Sequence, residues 1–424
     1  MGVVVPGCLI VGVAVVVAVA VAVIVARGFV VMAVIVARHG GPLSLRAGVG
    51  PRRAAGGAGA TSSVRPRYTR PVSPEPPPPY DERDAIAARV VQNATGEAGP
   101  WTLEVYPTLR CNLSCQFCDT TDRHRPAQRE LDAERWGRIV DEAADLGVRR
   151  IMVLGGGEPL LAAGTREILR RSRARGLTGF LTTNGTRLER FVPLLAEIGW
   201  DEVHVSIDGA APETHDRLRG QVGAFRQSVR GLCALRQGAP GTRRGIHTVV
   251  TRENVGELAD IVRLAASLGC ARVDFDHLIA YRPEQHRVAL GVADRAALPQ
   301  RVEEVLEVAG RLGVETTAAA LLDLRGAAAP PASGAPGLGG APCLKAWHHL
   351  VVQADGRVSP CCVLAGEGAP VESVGTTWRA DPFLLRVRST MLAHAPLPRC
   401  RECSQNILVH ERAIRDRLPA GTAS

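Results

Sequence analysis

The chain has 424 residues, a formal net charge of +9 and a hydrophobic content of 46%, ordinary for a globular protein. That length accommodates one large domain plus a smaller one, each with its own core. Ten arginines against five acids put +5 of the excess in residues 1–100, and what remains on the body is too small and scattered for a nucleic-acid binder. Lys345 is the sole lysine, while Arg, Ala, Gly and Val are over-used, a bias of base composition rather than of function.

Residues 2–26 are almost unbroken Val, Ala, Ile and Gly, long enough to span a bilayer. No basic residue precedes the run, which makes it a poor signal peptide. Arg27, Arg38, Arg46, Arg52 and Arg53 follow it, so a real span would leave the body in the cytoplasm. The competing expectation is that the assigned start lies too far upstream and that residues 1–40 are no part of the working protein. Residues 41–100 read as a flexible linker: 41–80 are rich in Gly, Ala, Pro, Ser and Arg and end in the proline run 76–79, with little capacity to bury apolar surface. A short helix fits 81–92, and folded sequence is expected from Trp101.

From Trp101 a βα rhythm sets in. Strands are predicted at 103–107, 150–154, 179–183, 202–207, 245–251 and 272–279. Helices are predicted at 131–146, 165–175, 191–198, 224–236, 255–268 and 301–312. Six strands alternating with helices require a parallel sheet with right-handed crossovers, with ligands at the carboxyl ends of the strands. This core is expected over 101–325. The Ala-, Gly- and Pro-rich stretch 326–342 marks a boundary, and a cysteine-rich module completes the body to about residue 412.

Seven of the eleven cysteines form two groups, which in a long chain points to metal binding rather than disulfides and to a reducing, cytoplasmic setting for the catalytic body. Cys111, Cys115 and Cys118 follow the first strand directly. Three thiolates on a short loop can hold three irons of a cubane and leave the fourth iron open; a zinc site completed by His124 is the alternative. Gly155-Gly156-Gly157-Glu158-Pro159 ends the second strand, Thr182-Thr183-Asn184-Gly185 the third, and Ser206-Ile207-Asp208-Gly209 the fourth. His215, Asp216, Arg217 and Arg219 are expected in the next loop. On the sixth strand, alternation puts Asp274 and Asp276 on one face and His277 on the other, and Tyr281, Arg282, Glu284 and Gln285 follow. Cys343, Cys361, Cys400 and Cys403 form the second group, with a tight turn at Gly356 bringing the first two together. Four thiolates suit zinc or a cubane equally.

The spacing of Cys111, Cys115 and Cys118, with Phe117 in the aromatic slot, resembles the signature of the radical S-adenosylmethionine superfamily. That resemblance implies a partial (β/α)6 TIM-type barrel, a [4Fe-4S] cluster on the three cysteines, and S-adenosylmethionine on the open iron. Reductive cleavage of that cofactor then gives a 5′-deoxyadenosyl radical that takes hydrogen from the substrate. It also implies cofactor contacts by Phe117, Gly156, Gly157, Glu158, Thr183, Asn184, Ser206, Asp208 and Arg219, with Leu278 or Ile279 against the adenine. The segment from Cys343 to Cys403 looks like the SPASM/twitch module of radical enzymes that modify peptides and proteins. This implies one auxiliary [4Fe-4S] cluster on Cys343, Cys361, Cys400 and Cys403. Cys362 is left over beside a ligand and is a candidate hydrogen donor to a substrate radical. The implied partners are an electron donor such as ferredoxin or flavodoxin and a peptide or protein substrate. A small-molecule cofactor or natural-product step, and a non-enzymic electron carrier, are the alternatives.

Overall fold

The computed structural model describes residues 82–96, 98–118, 129–322, 338, 341–403 and 405–419, together with short backbone strands in residues 1–35. Contacts divide the chain into two units, one comprising most of residues 1–78 and the other the body from Pro79 onward. In the first unit Ala20–Ala26 pairs antiparallel with Phe29–Ile35. The last part of the run long enough to span a bilayer, Ala20–Ala26, is thus a strand, the preference of β-branched Val and Ile. Among the described residues no helix is long and apolar enough to cross a membrane.

In the body the elements run α1 (Arg83–Ala94), β1 (Thr102–Val105), α2 (Ala133–Asp145), β2 (Arg150–Val153), α3 (Thr165–Ala174), β3 (Thr178–Thr183), α4 (Val192–Ile198) and β4 (Glu202–Ser206). There follow α5 (Pro212–Arg219), α6 (Ala224–Gly238), β5 (Arg243–Val250), α7 (Leu258–Leu268), β6 (Arg272–His277), α8 (Val292–Leu312) and β7 (Glu315–Thr316). The C-terminal part holds β8 (His349–Val352), β9 (Val358–Ser359), α9 (Val374–Ala380), α10 (Pro382–Leu392) and α11 (Gln405–Arg415). All six predicted strands are present, and β1 to β6 lie side by side in chain order, every pair parallel. The protein is a mixed α/β fold of the TIM type, its parallel strands joined by helical crossovers as the alternation requires.

Alternation along the strands sorts the two faces of the sheet. Leu103, Val105, Ile151, Val153, Leu181, Val203 and Val205 share one face and are fully buried, as strands covered by helices must be. The other face is polar. Glu202 and Asp274 flank the ring of His204, at 2.7 and 3.3 Å, and His247 Nε2 lies 2.7 Å from Asp276. Gly245 makes room for this row, because a Cβ there would sit 2.4 Å from His204 Nε2.

Three expectations are modified. First, the short helix expected at 81–92 is present as α1 and, although it falls in the stretch 41–100 expected to be linker, it packs into the body. Its Ile86, Ala87 and Val90 are buried with Leu344, Trp347, Val387, Met391 and Ile414, each large side chain contributing about 1.5–3 kcal/mol by burial. Second, the cysteine-rich segment after 326 contributes strands to the core sheet itself. β8 adds to the edge of the core sheet parallel to β1, with Leu350 opposite Leu103, and turns through Gly356 into antiparallel β9. Third, His215 to Arg219 form a helix, α5, rather than a loop. Pro212 starts it and Gly220, at φ +67°, ends it, the usual asymmetry of helix ends. The remaining shifts are small, apart from α8, which begins nine residues before the predicted 301. Residues 326–337 and His124 lie outside the described residues.

Candidate active site

The loop carrying Cys111, Cys115 and Cys118 leaves β1 and is held by its backbone from three sides. On the first side is the C-terminus of α5. Ser114 N donates to Arg219 O at 3.1 Å, Gln116 N to Leu218 O at 2.9 Å, and Gln116 Nε2 to Arg217 O at 2.9 Å. The terminal carbonyls of a helix lack partners of their own, and here the cysteine loop supplies them. On the second side is the loop after β6. Arg282 Nη2 donates to Cys118 O at 2.5 Å, and buried Gln285 donates to Phe117 O at 2.9 Å. Arg282 and Gln285 were undecided from sequence; their position becomes legible only through contacts spanning more than 160 residues.

The third side is the Gly155–Pro159 turn. Gly157 N donates to Thr108 O at 2.9 Å and Glu158 N to Arg110 O at 2.8 Å. A Cβ on Gly157 would lie 2.1 Å from Arg110 O, so only glycine permits this approach; Gly156 is buried within the same turn. The Glu158 carboxylate is fully committed within the protein. Oε1 accepts from Leu160 N at 3.0 Å and Thr183 Oγ1 at 2.6 Å, and Oε2 accepts from Asn184 N at 2.7 Å. Glu158 therefore fixes the ends of β2 and β3 together instead of presenting a free carboxylate. Burial raises its pKa against those three hydrogen bonds.

Asn184 is thereby aimed at the cysteine loop, its Nδ2 3.0 Å from Asn112 Oδ1 and 4.0 Å from Cys111 Sγ. From the other flank Arg219 Nη1 lies 3.8 Å from Cys115 Sγ, with its guanidinium 5.4 Å from the centre of the Phe117 ring. Arg219 is buried and ion-paired through Nε with fully buried Asp208. Burial lowers its pKa, but Asp208 and then Cys115 outweigh that and hold it above the usual value. Asp208 is fixed in turn: Oδ1 accepts from Val249 N at 2.8 Å, and its backbone N donates to His215 Nδ1 at 3.1 Å. Burial raises the pKa of Cys111 and pushes Cys115 up to about 11 against the pull of Arg219, so metal binding there would release protons. Ser206 stands opposite His247 in the β4–β5 register. Leu278 lies one residue beyond β6 and is half-buried.

The Gly220 cap is under geometric compulsion. A Cβ at φ +67° would meet Ser114 O at 2.3 Å. Gly220→Ala is expected to cost about 1–3 kcal/mol in backbone strain alone and to displace the cysteine loop. Iron bound per chain after anaerobic reconstitution should fall while the circular dichroism spectrum stays that of a folded protein.

His215 gives a pH signature. Burial first, then Arg219, lower its pKa from 6.5 to about 3. A histidine with a depressed folded pKa stabilises fully above its unfolded value, and that contribution is lost as pH falls below it. Stability should therefore decline from pH 6.5 toward pH 3 by up to about 1.4 kcal/mol per unit from this residue. Urea unfolding of wild type and His215→Gln across that window should show a shallower slope in the variant.

In the second group, Cys343, Cys361 and Cys400 border the same apolar cluster under α1. Cys343 interacts electrostatically with Cys361 and Cys403, and Cys361 with Cys400. Burial pushes Cys361 up to about 11 against the pull of Lys345. Burial, and after it the negative charge of Glu104 in β1, raises the pKa of Cys362. Glu104 also holds His349 at 2.8 Å. Tyr281, in the loop that caps the first group, lies under Arg399, 5.2 Å from the guanidinium to the ring centre, so this loop reaches toward both cysteine groups. Among the described residues no three Cys, His, Asp or Glu side chains gather round a single point as one metal ion would require. A cubane spreads its thiolates wider, each on its own iron, so this spacing does not exclude one. The first set offers thiols beside one buried cation, Arg219; in the second, Cys343, Cys361 and Cys400 border an apolar cluster, with Lys345 and buried Glu411 acting on them.

A family model for the radical SAM superfamily matches residues 105–265, which span β1 to α7. The chain carries a radical SAM domain. An AdoMet-dependent heme synthase of Oleidesulfovibrio alaskensis is 32% identical over 47% of this chain and 50% of its own length. A PqqA peptide cyclase of Methylocella silvestris is 29% identical over 70% of this chain and 78% of its own. The chain spans about half the length of the heme synthase relatives. Among solved structures, Streptococcus suis SuiB bound to S-adenosylmethionine superposes with a TM-score of 0.56 at 19% identity, over 69% of this chain and 68% of SuiB. The anSMEcpe structure with AdoMet and a peptide gives 0.52 at 19%, over 71% and 85%. At such identities these two define the fold. A [4Fe-4S] cluster and S-adenosylmethionine are what the radical SAM family implies.

Proposed function

We propose that the chain is an enzyme that reductively cleaves S-adenosylmethionine and takes a hydrogen atom from a peptide or protein side chain. The observation that carries this is the seating of the cysteine loop. Three thiols are clamped from three sides, with the Arg219–Asp208 pair on one flank and Asn184, aimed by Glu158, on the other. In this reading Cys111, Cys115 and Cys118 hold the cluster. Arg219 offsets the negative charge of the thiolates, and Gly156, Gly157, Thr183, Asn184, Ser206 and Asp208 surround the cofactor at the strand ends. When bound, a cluster with one open iron supplies the single electron that breaks a carbon–sulfur bond of the sulfonium. The protein's part is to bind, orient and exclude water. Cys343, Cys361, Cys400 and Cys403 hold an auxiliary cluster, and Cys362 stands next to one of its ligands in sequence.

The peptide assignment is supported by the extent of the match to the peptide cyclase, 70% of this chain. A second assignment, a tetrapyrrole-type small molecule, is supported by the somewhat higher identity to the heme synthases over less of the chain. The test of the activity is anaerobic reconstitution with iron and sulfide, followed by dithionite and S-adenosylmethionine. Formation of 5′-deoxyadenosine and methionine is expected, with iron near about eight per chain for two cubanes. Iron without 5′-deoxyadenosine would leave an electron carrier instead.

A further inference from the structure

The turns that hold the cysteine loop have an outer side, and that side is basic. Leu160, Ala162 and Phe191 floor a cavity of about 280 Å³ whose rim carries Arg166, Arg187 and Arg190. The other arginines of the α3 region are neutralised: Arg170 by Glu197, Arg171 by Glu167 and Asp141, Arg173 by Asp201, and Arg175 by Asp145. Arg166, Arg187 and Arg190 have no carboxylate partner among the described residues. Glu189, next to Arg190 in sequence, pairs with Arg230 at 3.2 Å. Arg166 is also held in place. Its guanidinium lies 4.3 Å from the centre of the Phe191 ring, and Nη2 donates to Arg190 O at 3.4 Å. Gathering three uncompensated cations is unfavourable, so the rim is set for an anionic partner.

Its position selects the partner. Arg187 directly follows Thr186, whose Oγ1 accepts from Asn112 Nδ2 at 2.9 Å. Asn112 also accepts from Asn184, which reaches Cys111 Sγ. From the rim to the first thiol is thus a chain of three hydrogen-bonded residues. The proposed reaction takes one electron from outside the protein for each sulfonium cleaved. An apolar floor inside a charged rim is the anatomy of a transient protein interface, and opposite charge steers such encounters. We propose that this basic pocket docks an acidic one-electron carrier protein, which is oxidised by one electron as the cluster on Cys111, Cys115 and Cys118 is reduced by one. This rests on the function proposed above.

The experiment uses reconstituted full-length protein and the double variant Arg166→Glu/Arg190→Glu, with a flavodoxin and its NADPH-dependent reductase as the probe. The apparent KM for flavodoxin in 5′-deoxyadenosine formation should rise about tenfold or more and lose most of its salt dependence. Dithionite-driven cleavage should stay within about twofold, and Arg166→Lys/Arg190→Lys should keep a wild-type KM. An unchanged flavodoxin KM, equal losses with both reductants, or a raised KM for an acidic substrate alone would overturn the docking surface. Titration calorimetry with oxidised flavodoxin reads the same surface without turnover, and about tenfold weaker binding is expected of the charge-reversed variant. No 5′-deoxyadenosine with dithionite would overturn the function. The calorimetric result would still decide the surface, equal binding by both proteins refuting it.

Discussion

Cys115→Ala is expected to bring S-adenosylmethionine cleavage below about 1% of the wild-type rate and to remove about four irons per chain. Cys115 lies between its two loop partners in sequence, and its sulfur is the one facing Arg219, at 3.8 Å. Its loss breaks the set of three donors and leaves Arg219 with Asp208 alone. The loop backbone should survive, since Ser114 N, Gln116 N and the Phe117 and Cys118 carbonyls make their bonds without the thiol. The fold is therefore expected to stay within a few degrees of wild type in thermal melts. Activity, iron analysis and melting temperature together check this: a variant that keeps both iron and activity contradicts the assignment of the loop.

Asp208→Ala acts through a different term. Asp208 is the carboxylate partner of Arg219, and both side chains are almost wholly out of solvent. Truncating one member of a buried pair leaves the other uncompensated, which costs about 3–5 kcal/mol. The backbone N of Val249 loses its acceptor as well. The melting temperature is expected to drop by about 5–15 °C. The double variant Asp208→Leu/Arg219→Met replaces the pair by apolar groups of similar volume and should recover much of that loss. It should nonetheless bind less iron and form no 5′-deoxyadenosine, because the cation beside Cys115 has gone. A double variant that is stable, iron-loaded and active would show that the pair serves the fold alone.

The six parallel strands and the motifs at their ends were legible because each is local. Four to eight apolar and polar residues in alternation, closed by Gly, Asn or Asp, state both the strand and the turn that follows. What the sequence did not reveal is almost all non-local. α1 is short and Ala- and Arg-rich, and its apolar stripe of Ile86, Ala87 and Val90 gains meaning only against Trp347 and Ile414, which lie far along the chain. β8 reads as one arm of a hairpin. Its parallel pairing with β1 spans nearly 250 residues, and no periodicity announces it. α5 failed for a local reason: Pro-Glu-Thr-His-Asp-Arg-Leu-Arg is nearly all polar, so the helical period has only Leu218 to show.

At the site, residue types were readable but their division of labour was not. Glu158, read as a cofactor contact, also braces β2 against β3 through Thr183 and Asn184, which its motif did not announce. Arg219 and Arg217 differ in setting: Arg219 pairs with buried Asp208, while Arg217 pairs with Glu253 at the surface. Asp274 and Asp276 share a face as alternation demanded, each beside a histidine. Gln285 and Arg282 were named from sequence as either site-shaping or solvated, and only their contacts with the Phe117 and Cys118 carbonyls decide between the two.

The most direct test is electron paramagnetic resonance of the anaerobically reconstituted, dithionite-reduced protein, recorded with and without S-adenosylmethionine. With Cys343, Cys361, Cys400 and Cys403 changed to alanine, only the first cysteine group remains to hold a cluster. A reduced cubane signal that shifts when S-adenosylmethionine is added is the predicted result, since the cofactor would occupy the one iron the three thiolates leave free. A spectrum that is identical with and without the cofactor, or a protein that binds zinc and no iron at this loop, would contradict it.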